Sequence, residues 1–417
     1  MNNMYNALKQ ALKALLSNKG RTLLTTLGIM IGIATVILVL SAGAGFKDLI
    51  NSQVATLGSN TLYVQTKIPS NNKNLASGPR SEGVNSGIVI TTLKERDLDT
   101  IKRLPNVVND YGIVMGQSAA SYRNNQKSAV YLGASASRFE IDQSTLKSGR
   151  FYTVAEDNGG AQVVILGNKI AKDLFKQDEP IGKLVRIGSL NFLVIGVYNP
   201  SSGLGGGIDD YLFIPLNTAQ KKMLGINYLV QAVVQIKDLK LSDVTAMNIS
   251  GAIRRNHGII DPVKDDFQVT TQAQILDIFN TIFNGVTILL IAIAAISLIV
   301  GGVGIMNIMY VVVTERTPEI GLRKALGAKR SNILQEFLIE SVLVTLLGGL
   351  IGILFGSFLS WILTLVAVRS GLAWTFSVPL YAIAIGFGVS AAIGVGFGVF
   401  PALGAAKLDP IEALRHE

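Results

Sequence analysis

The sequence predicts an α-helical membrane protein with four transmembrane helices and a large extracytoplasmic α+β domain of two lobes. Three observations lead to this fold class. The 417 residues are 49% hydrophobic and only 16% charged, whereas soluble domains carry about 25% charged residues. Four apolar runs reach the length of about 20 residues that spans a bilayer core. Between the first and second runs lies a charged segment with the strand and turn pattern of a folded domain.

The composition also excludes several kinds of chemistry. The chain has no cysteine, which rules out disulfides, thiol catalysis and cysteine-based metal sites. Its two histidines, His257 and His416, are far apart in the sequence, and neither stands in a metal-ligand motif. We therefore expect no catalytic residue, no metal and no cofactor on this chain.

The N-terminal part predicts a surface helix followed by the first span. Residues 1–20 place leucines on one face and lysines elsewhere, which is typical of a helix on the cytoplasmic membrane surface. The positive flank of a signal sequence is the alternative. Residues 21–46 form the predicted first transmembrane helix, which is too long for the apolar core of a signal peptide. Within it, Gly28 and Gly32 have the spacing of a close helix contact.

Residues 47–276 predict the extracytoplasmic domain, with its second lobe at about 130–225. β-Branched runs at Val163–Leu166 and 191–197 predict strands, because they are flanked by glycine or polar residues. The segment 199–207 contains a glycine run, but it lacks the Gly-Lys-Ser/Thr ending of a phosphate-binding loop. We expect it to be a surface loop.

The next segment, 277–313, predicts a stalk that continues into the second transmembrane helix. No residue of 278–314 is charged, and this run is 37 residues long. As a helix it measures about 55 Å, which exceeds the bilayer core. We expect its polar first part to project outward as the stalk; a break near Gly285 is the alternative. Gly301 and Gly302 are small residues that predict close helix packing.

A short charged segment, 314–331, follows the second span. Thr317 and Pro318 predict the start of a helix, in which the Thr317 hydroxyl caps the first free N–H groups. Gly327 predicts its end, because glycine takes the left-handed cap conformation at little cost. A short amphipathic helix between two spans needs a partner, which is either the membrane surface or another protein.

The third transmembrane helix is predicted at 332–367. It carries Gly348, Gly352 and Gly356 at four-residue intervals. This is the strongest helix-packing pattern in the sequence, so we expect close contact with another span.

The fourth transmembrane helix is predicted at 379–401, after a short external loop at 368–378. Pro401 is expected to close it, since proline interrupts helical hydrogen bonding. The remaining residues, 402–417, are polar and predict a cytoplasmic tail.

The lysines and arginines determine the predicted orientation. Eleven of them lie in residues 1–21, in the loop 314–331 and in the tail, whereas the loop 368–378 holds only Arg369. Because cytoplasmic loops are enriched in basic residues, we expect both termini in the cytoplasm and the large domain outside. The net charge of +9 then reflects topology, and no nucleic acid is expected as a partner.

Several motifs resemble MacB-like ABC transporter permeases, the type VII class that includes FtsX-type and LolC-type permeases. The segment 313–328, Val-Thr-Glu-Arg-Thr-Pro-Glu-Ile-Gly-Leu-Arg-Lys-Ala-Leu-Gly-Ala, is similar to the cytoplasmic loop of that family. The segments 57–61, 337–342 and 401–414 match as well, and 148–151 resembles the family's periplasmic core domain. The resemblance covers nearly the whole chain.

The resemblance implies a homodimer in the bacterial cytoplasmic membrane and a coupling helix that binds a cytoplasmic ATPase. The ATPase-coupling role falls on eight residues of the loop: Thr317, Pro318, Glu319, Ile320, Leu322, Arg323, Lys324 and Gly327. MacB itself carries its ATPase ahead of the first span, where this sequence has only residues 1–20 and no Walker A motif. The ATPase, with its ATP and magnesium, is therefore expected on a separate chain. Membrane lipids and an adaptor protein outside the membrane are the other expected partners.

Three functions follow as hypotheses. The first is a non-catalytic permease subunit that converts ATP hydrolysis by its partner into motion of the external domain, called mechanotransmission, and exports a peptide, antibiotic or lipid-type substrate. The second is an FtsX-like regulator or sensor of cell-envelope enzymes, or a lipoprotein-release-type permease. The third, a membrane-bound enzyme, is disfavoured because the sequence has no nucleophile–base pair, metal cluster or cofactor loop.

Overall fold

A computed structural model describes residues 19–56, 60–69, 89–142, 144–200 and 208–415. The predicted surface helix at 1–20 lies outside this part of the chain except for its last two residues, and the glycine run within 199–207 lies outside it as well. The chain divides into two compact units. The membrane unit comprises the residues up to Leu49 together with 280–370 and 374–417, and the β-rich unit comprises Ile50–Phe279 and Gly371–Ala373.

The described chain begins with a long helix, α1 (Lys19–Thr56). It extends beyond the predicted span 21–46, because the charged residues after the apolar run do not interrupt the helix. Ile29, Ile33 and Ile37 recur every four residues and are buried among the other membrane helices.

The described residues of the β-rich unit form ten strands. In chain order its elements are β1 (Thr61–Thr66), α2 (Glu95–Ile101), β2 (Val107–Tyr122), β3 (Asn125–Ala134), α3 (Arg138–Ile141), β4 (Leu146–Gly149), α4 (Val154–Asn158), β5 (Val163–Leu166), α5 (Asn168–Phe175), β6 (Leu184–Ile187), β7 (Leu190–Tyr198), β8 (Tyr211–Pro215), a π-helix (Thr218–Leu224), β9 (Gln231–Ile236), α6 (Ser242–His257) and β10 (Phe267–Thr271). Two short 3₁₀ helices, Leu239–Leu241 and Pro262–Lys264, flank α6. The strands predicted at Val163–Leu166 and 191–197 are confirmed as β5 and the inner part of β7.

The first lobe is a four-stranded antiparallel sheet in the order β10, β1, β9, β2. Helices α2 and α6 contact each other and share one hydrophobic core with the strands. Leu98 of α2 and Ile249 of α6 belong to this core together with Val64 and Val234 of the sheet. The intervening residues Tyr63 and Val233 point to the other face of the sheet and are buried there in a separate cluster.

The second lobe is a closed six-stranded barrel that shares β2 with the first lobe. The first half of β2 pairs with β9, and its second half, from Ile113 on, pairs with β3. The ring then runs from β3 through β8, β5, β7 and β6 and returns to β2 at the pair Ala120 and Ile187. The barrel thus begins before residue 130, which is the predicted start of the second lobe. The reason is that β2 changes its pairing partner without any break in its own sequence pattern.

The membrane unit continues with α7 (Gln272–Glu315), α8 (Thr317–Ala325), α9 (Arg330–Arg369), α10 (Leu380–Lys407) and α11 (Pro410–Arg415). Four helices of the described part of the chain are long and apolar enough to cross a membrane, namely α1, α7, α9 and α10. The predicted number of spans is confirmed. Helix α7 is continuous over 44 residues, so the alternative of a break near Gly285 is wrong.

The prediction that Pro401 closes the fourth span is also wrong. Helix α10 runs through Pro401 and ends six residues later, at Lys407. Proline keeps a helical φ and removes a single N–H donor. Pro401, Ala402 and Ala405 are all buried, so this turn of the helix lies in the packed part of the membrane unit.

The glycines predicted to pack helices lie in the membrane unit. A Cβ atom on Gly28 would come within 2.9 Å of Gly301 Cα, and one on Gly356 within 2.7 Å of the Ala34 carbonyl oxygen. At these positions only glycine permits the observed backbone approach. Three others behave similarly: Gly32 faces Leu298, Gly302 faces Phe397, and Gly352 faces Met30 and Ile33. Gly348 is buried.

Candidate functional site

The candidate site is the segment around α8, and its backbone explains where this helix ends. Gly327 has φ +96°, in the left-handed region that costs glycine least. The Ala328 N–H donates to the Arg323 carbonyl over 3.0 Å, and the Gly327 N–H donates to that of Lys324 over 3.0 Å. These bonds satisfy carbonyls that the end of a helix leaves free. The predicted stop at Gly327 is confirmed.

In the structure, the Thr317 hydroxyl does not make the predicted N-cap hydrogen bond. The Thr317 hydroxyl donates to the Val313 carbonyl oxygen, 3.0 Å away, and Arg316 occupies the N-cap position without a side-chain cap bond. The hydroxyl therefore bonds back to the end of α7, because a threonine can reach the carbonyl four residues earlier. Thr317 and Pro318 still begin the helix, but Thr317 does not cap it.

One face of α8 packs against the start of α9. Ile320 is buried with Ile333 and Phe337 of α9 in the core of the membrane unit. Gly321, next to Ile320, is buried as well. Burying an isoleucine side chain stabilises a contact by about 1.5–3 kcal/mol, so this face holds the helix in place.

Arg323 adds a polar link between α8 and α9. Its Nη1 donates to both carboxylate oxygens of Glu336 over 2.8 Å, and its Nη2 donates to Glu319 over 2.6 Å. The hydrogen bond to Glu336 is the main cause of a raised pKa of Arg323, and the charges of both carboxylates add to it. A second pair, Arg316 with Glu340, joins the two segments at 3.4 Å.

Lys324 turns toward a different helix. Its Nζ donates to the carbonyl oxygens of Ala406 and Leu408, over 2.7 Å and 2.6 Å. Partial burial lowers the pKa of Lys324, the charge of Arg330 lowers it further, and Asp409 opposes the change. Lys324 therefore caps the C-terminal end of α10.

The opposite face of α8 is exposed and apolar. Pro318, Leu322, Ala325 and Leu326 are all exposed, and their spacing of four, seven and eight residues puts them on one side of a helix. Leu322 is 53% exposed and Leu326 is 81% exposed. We call these four residues the apolar surface. Apolar side chains grouped in this way outside a membrane span are typical of a protein contact.

The structure sorts the predicted coupling residues into two groups. Ile320, Arg323 and Lys324 contact other helices of the same chain, whereas Pro318, Glu319 and Leu322 are exposed. The prediction omitted Ala325 and Leu326, although their spacing from Leu322 places them on the same face. Among the described residues, no group of three or more His, Asp or Glu side chains is arranged to hold a metal ion.

Comparison with known proteins identifies the class. Residues 22–249 match the family model of the MacB-like periplasmic core domain, and residues 291–410 match that of the FtsX-like permease C-terminal region. Together with the four apolar helices, these matches define an integral membrane permease with an extracytoplasmic core domain. The β-rich unit corresponds to that domain. The chain belongs to the MacB-like and FtsX-like family of ABC transporter permeases.

Curated relatives show how much of a longer protein this chain corresponds to. It is 35% identical over 420 residues to the macrolide export ATP-binding/permease protein MacB of Bdellovibrio bacteriovorus, covering 99% of this chain and 62% of that protein. It is 36% identical to the MacB of an Azoarcus species, covering 100% of this chain and 60% of that protein. The chain thus spans about 60% of the length of the relatives it matches.

A solved structure is among the proteins that resemble this chain. It is the periplasmic region of MacB from Actinobacillus actinomycetemcomitans, with 22% identity and a TM-score of 0.45. The match covers 55% of this chain and 97% of that one.

Proposed function

We propose that this chain is the permease of an ABC transporter and that a cytoplasmic ABC ATPase binds the apolar surface of α8. The observation that carries this proposal is the division of α8 into two faces. One face is held by Ile320 and the Arg323–Glu336 pair, while Leu322 and Leu326 remain exposed. A helix held firmly on one side and apolar on the other is suited to receive a partner and to move with it.

The work done on the substrate would take place outside the membrane. ATP and magnesium bind to the ATPase, and closure of the ATPase around ATP displaces α8. Helix α7 runs without a break from the β-rich unit to the loop that contains α8. The run 278–314 has no charged residue, and the glycine contacts favour close helix packing over a wide polar pore. The proposed output is therefore motion of the extracytoplasmic domain, which is mechanotransmission.

The proposed substrate class is an exported peptide, antibiotic or lipid-type molecule. The names of the relatives refer to macrolide export, which supports an amphipathic compound of that kind. The working unit would be a homodimer in the inner membrane, with the termini in the cytoplasm, membrane lipids around the helices and an adaptor bound outside.

A second candidate is an FtsX-like regulator of cell-envelope enzymes, because residues 291–410 match the FtsX-like model. The same site would then receive the ATPase, but no substrate would cross or leave the membrane. ATP-dependent release of a labelled macrolide or lipid from proteoliposomes separates the two functions, because only the exporter produces it.

The docking of the ATPase is tested with Leu326→Asp. Removing an apolar anchor and placing a charge at the centre of an interface costs about 2 kcal/mol or more, so we expect the affinity for the co-expressed ATPase to fall about 30-fold. Binding is measured with the purified full chain in nanodiscs. The matched control is Ile260→Asp, at a residue of the β-rich unit that is 97% exposed, which should bind normally. Unchanged binding by Leu326→Asp would refute the site.

A further inference from the structure

Lys324 lies at the junction of three helices. Helix α10 ends at Lys407, and its last carbonyls have no partner within the helix. The Lys324 ammonium group bonds two carbonyl oxygens of this end, those of Ala406 and Leu408. A cation at this position also interacts favourably with the negative end of the helix dipole. The contact is therefore a C-terminal cap supplied by a side chain of another helix.

The chain beyond α10 returns to α8 directly after this cap. The Asp409 carboxylate accepts a hydrogen bond from the Ile411 N–H over 2.8 Å, which starts α11. Helix α11 packs against α8, and Ala413 is buried with 1% of its surface exposed. The position of Leu408, and with it the path of the chain into α11, thus depends on Lys324.

Two neighbouring residues of α8 hold two different membrane helices. Arg323 bonds Glu336 of α9, whereas Lys324 bonds the end of α10. Helices α9 and α10 contact each other along their length, and the Ser341 hydroxyl donates to the Gly394 carbonyl oxygen over 2.9 Å in this contact. A displacement of α8 consequently acts on both members of a packed helix pair.

We infer that Lys324 is a positioning residue that couples α8 to α10, and that it does not contact the ATPase. This inference rests on the proposed function, because the ATPase supplies the displacement. It differs from the assignment by sequence resemblance, in which Lys324 is one of the residues that contact the ATPase. The lysine suits the role because its flexible stem carries three donors that can meet two carbonyls at once.

The test uses Lys324→Met, which keeps the stem and removes the donors. Lys329→Met is the matched control, because Lys329 is an exposed lysine of the same loop. With the full chain and the ATPase in nanodiscs, we expect Lys324→Met to bind the ATPase within about threefold of the unmodified chain. Stimulation of ATP hydrolysis by the permease should fall about tenfold. Lys324→Arg should restore most of it, since a guanidinium also offers several N–H donors.

A second measurement does not need the ATPase. Because the chain has no cysteine, spin labels can be placed on single cysteines at Ala325 of α8 and Leu403 of α10. We expect Lys324→Met to broaden the distance distribution between these labels and Lys329→Met to leave it unchanged. An unchanged distribution in Lys324→Met would overturn the inference, whether or not an ATPase binds.

The two proposals fail in different ways. If Lys324→Met weakens ATPase binding about tenfold and Lys329→Met does not, Lys324 is an ATPase contact and the inference is wrong, while the proposed function stands. If the unmodified chain binds no ABC ATPase but the label distances respond to Lys324→Met, the proposed function is wrong and the cap on α10 is retained.

Discussion

At the scale of single residues, the charged side chains of α8 bond within the chain, whereas its apolar side chains Leu322 and Leu326 are exposed. Arg323 and Lys324 are adjacent in sequence, yet each bonds a different helix. A charged residue in a loop is usually interpreted as solvent-exposed or partner-binding. Here the carbonyls at a helix end and the carboxylate of Glu336 offer stronger bonds than water does.

A second residue, Asp110 in β2, has a carboxyl group in surroundings that disfavour its charged form. It is 9% exposed, and its Oδ2 has no hydrogen-bond partner within the described part of the chain. Burial raises the pKa of Asp110 to about 6; the charge of Lys102 opposes this change and that of Asp99 adds to it. At neutral pH the folded protein therefore holds a buried carboxylate that would be more stable in water.

The pH dependence of stability follows from this shift. The folded state binds the Asp110 proton more tightly than the unfolded state, so the free energy of unfolding falls as the pH rises from about 4 to about 6 and is then constant. We expect Asp110→Asn to raise the free energy of unfolding by about 2 kcal/mol at pH 7.5 and by much less at pH 4.5. Thermal unfolding of the full chain in detergent measures both.

The control for Asp110 is Glu179→Gln. Glu179 is an exposed carboxylate of the same unit, so its neutralisation should change stability by less than about 0.5 kcal/mol. An Asp110→Asn variant that is no more stable than the unmodified chain at pH 7.5 would contradict the electrostatic argument.

At the scale of elements, small residues determine how closely the membrane helices approach one another. Lipid tails are as apolar as leucine, so helices gain little from burying leucine against each other and depend on close contact. Helix α10 has one small-residue face buried against α9, with Gly386, Ser390, Gly394 and Gly398. Its other face has Gly388 and Gly396, where an added Cβ meets nothing within 4 Å.

This difference predicts unequal effects of the same substitution. In Gly356→Val the new Cβ would lie 2.7 Å from the Ala34 carbonyl oxygen and 2.9 Å from Ile37 Cβ. Both are too close, so α1 and α9 must separate. We expect a loss of about 1–3 kcal/mol, seen as a lower unfolding temperature in detergent. Gly388→Val makes the same chemical change without a neighbour and should unfold near the temperature of the unmodified chain. Equal destabilisation of both variants would contradict this account.

At the scale of the whole molecule, the distribution of charge predicts the orientation in the membrane. The positive-inside rule places α8 in the cytoplasm and the β-rich unit outside. Single cysteines test this directly, since the chain has none of its own. In intact spheroplasts, a membrane-impermeant maleimide should label Ile260→Cys at once. It should label Lys329→Cys, at an exposed residue of the loop 314–331 outside the apolar surface, only after the membrane is permeabilised. Both sites are exposed, so access of the reagent across the membrane decides the result, and the reversed pattern would invert the topology.

Features encoded in short stretches of sequence were predictable. The four spans follow from apolar runs longer than the bilayer core, the end of α8 follows from Gly327, and the strands β5 and β7 follow from β-branched runs. The glycines that pack helices were also identified, because small residues at four-residue spacing share one helix face whatever the partner is. The coupling role of the segment 314–331 is a prediction from its resemblance to known permeases.

Other features depend on contacts between residues far apart in the chain. The partners of Lys324 lie 82 and 84 residues later, so no local pattern could assign Lys324 to the end of α10. Contacts between distant residues also produce the change of partner within β2, the closure of the barrel and the continuation of α10 past Pro401. Helical period and turn propensity act over a few residues, so the sequence by itself determined which elements form. Packing and hydrogen bonding between distant segments decided which faces those elements bury, and therefore which side chains of α8 remain exposed.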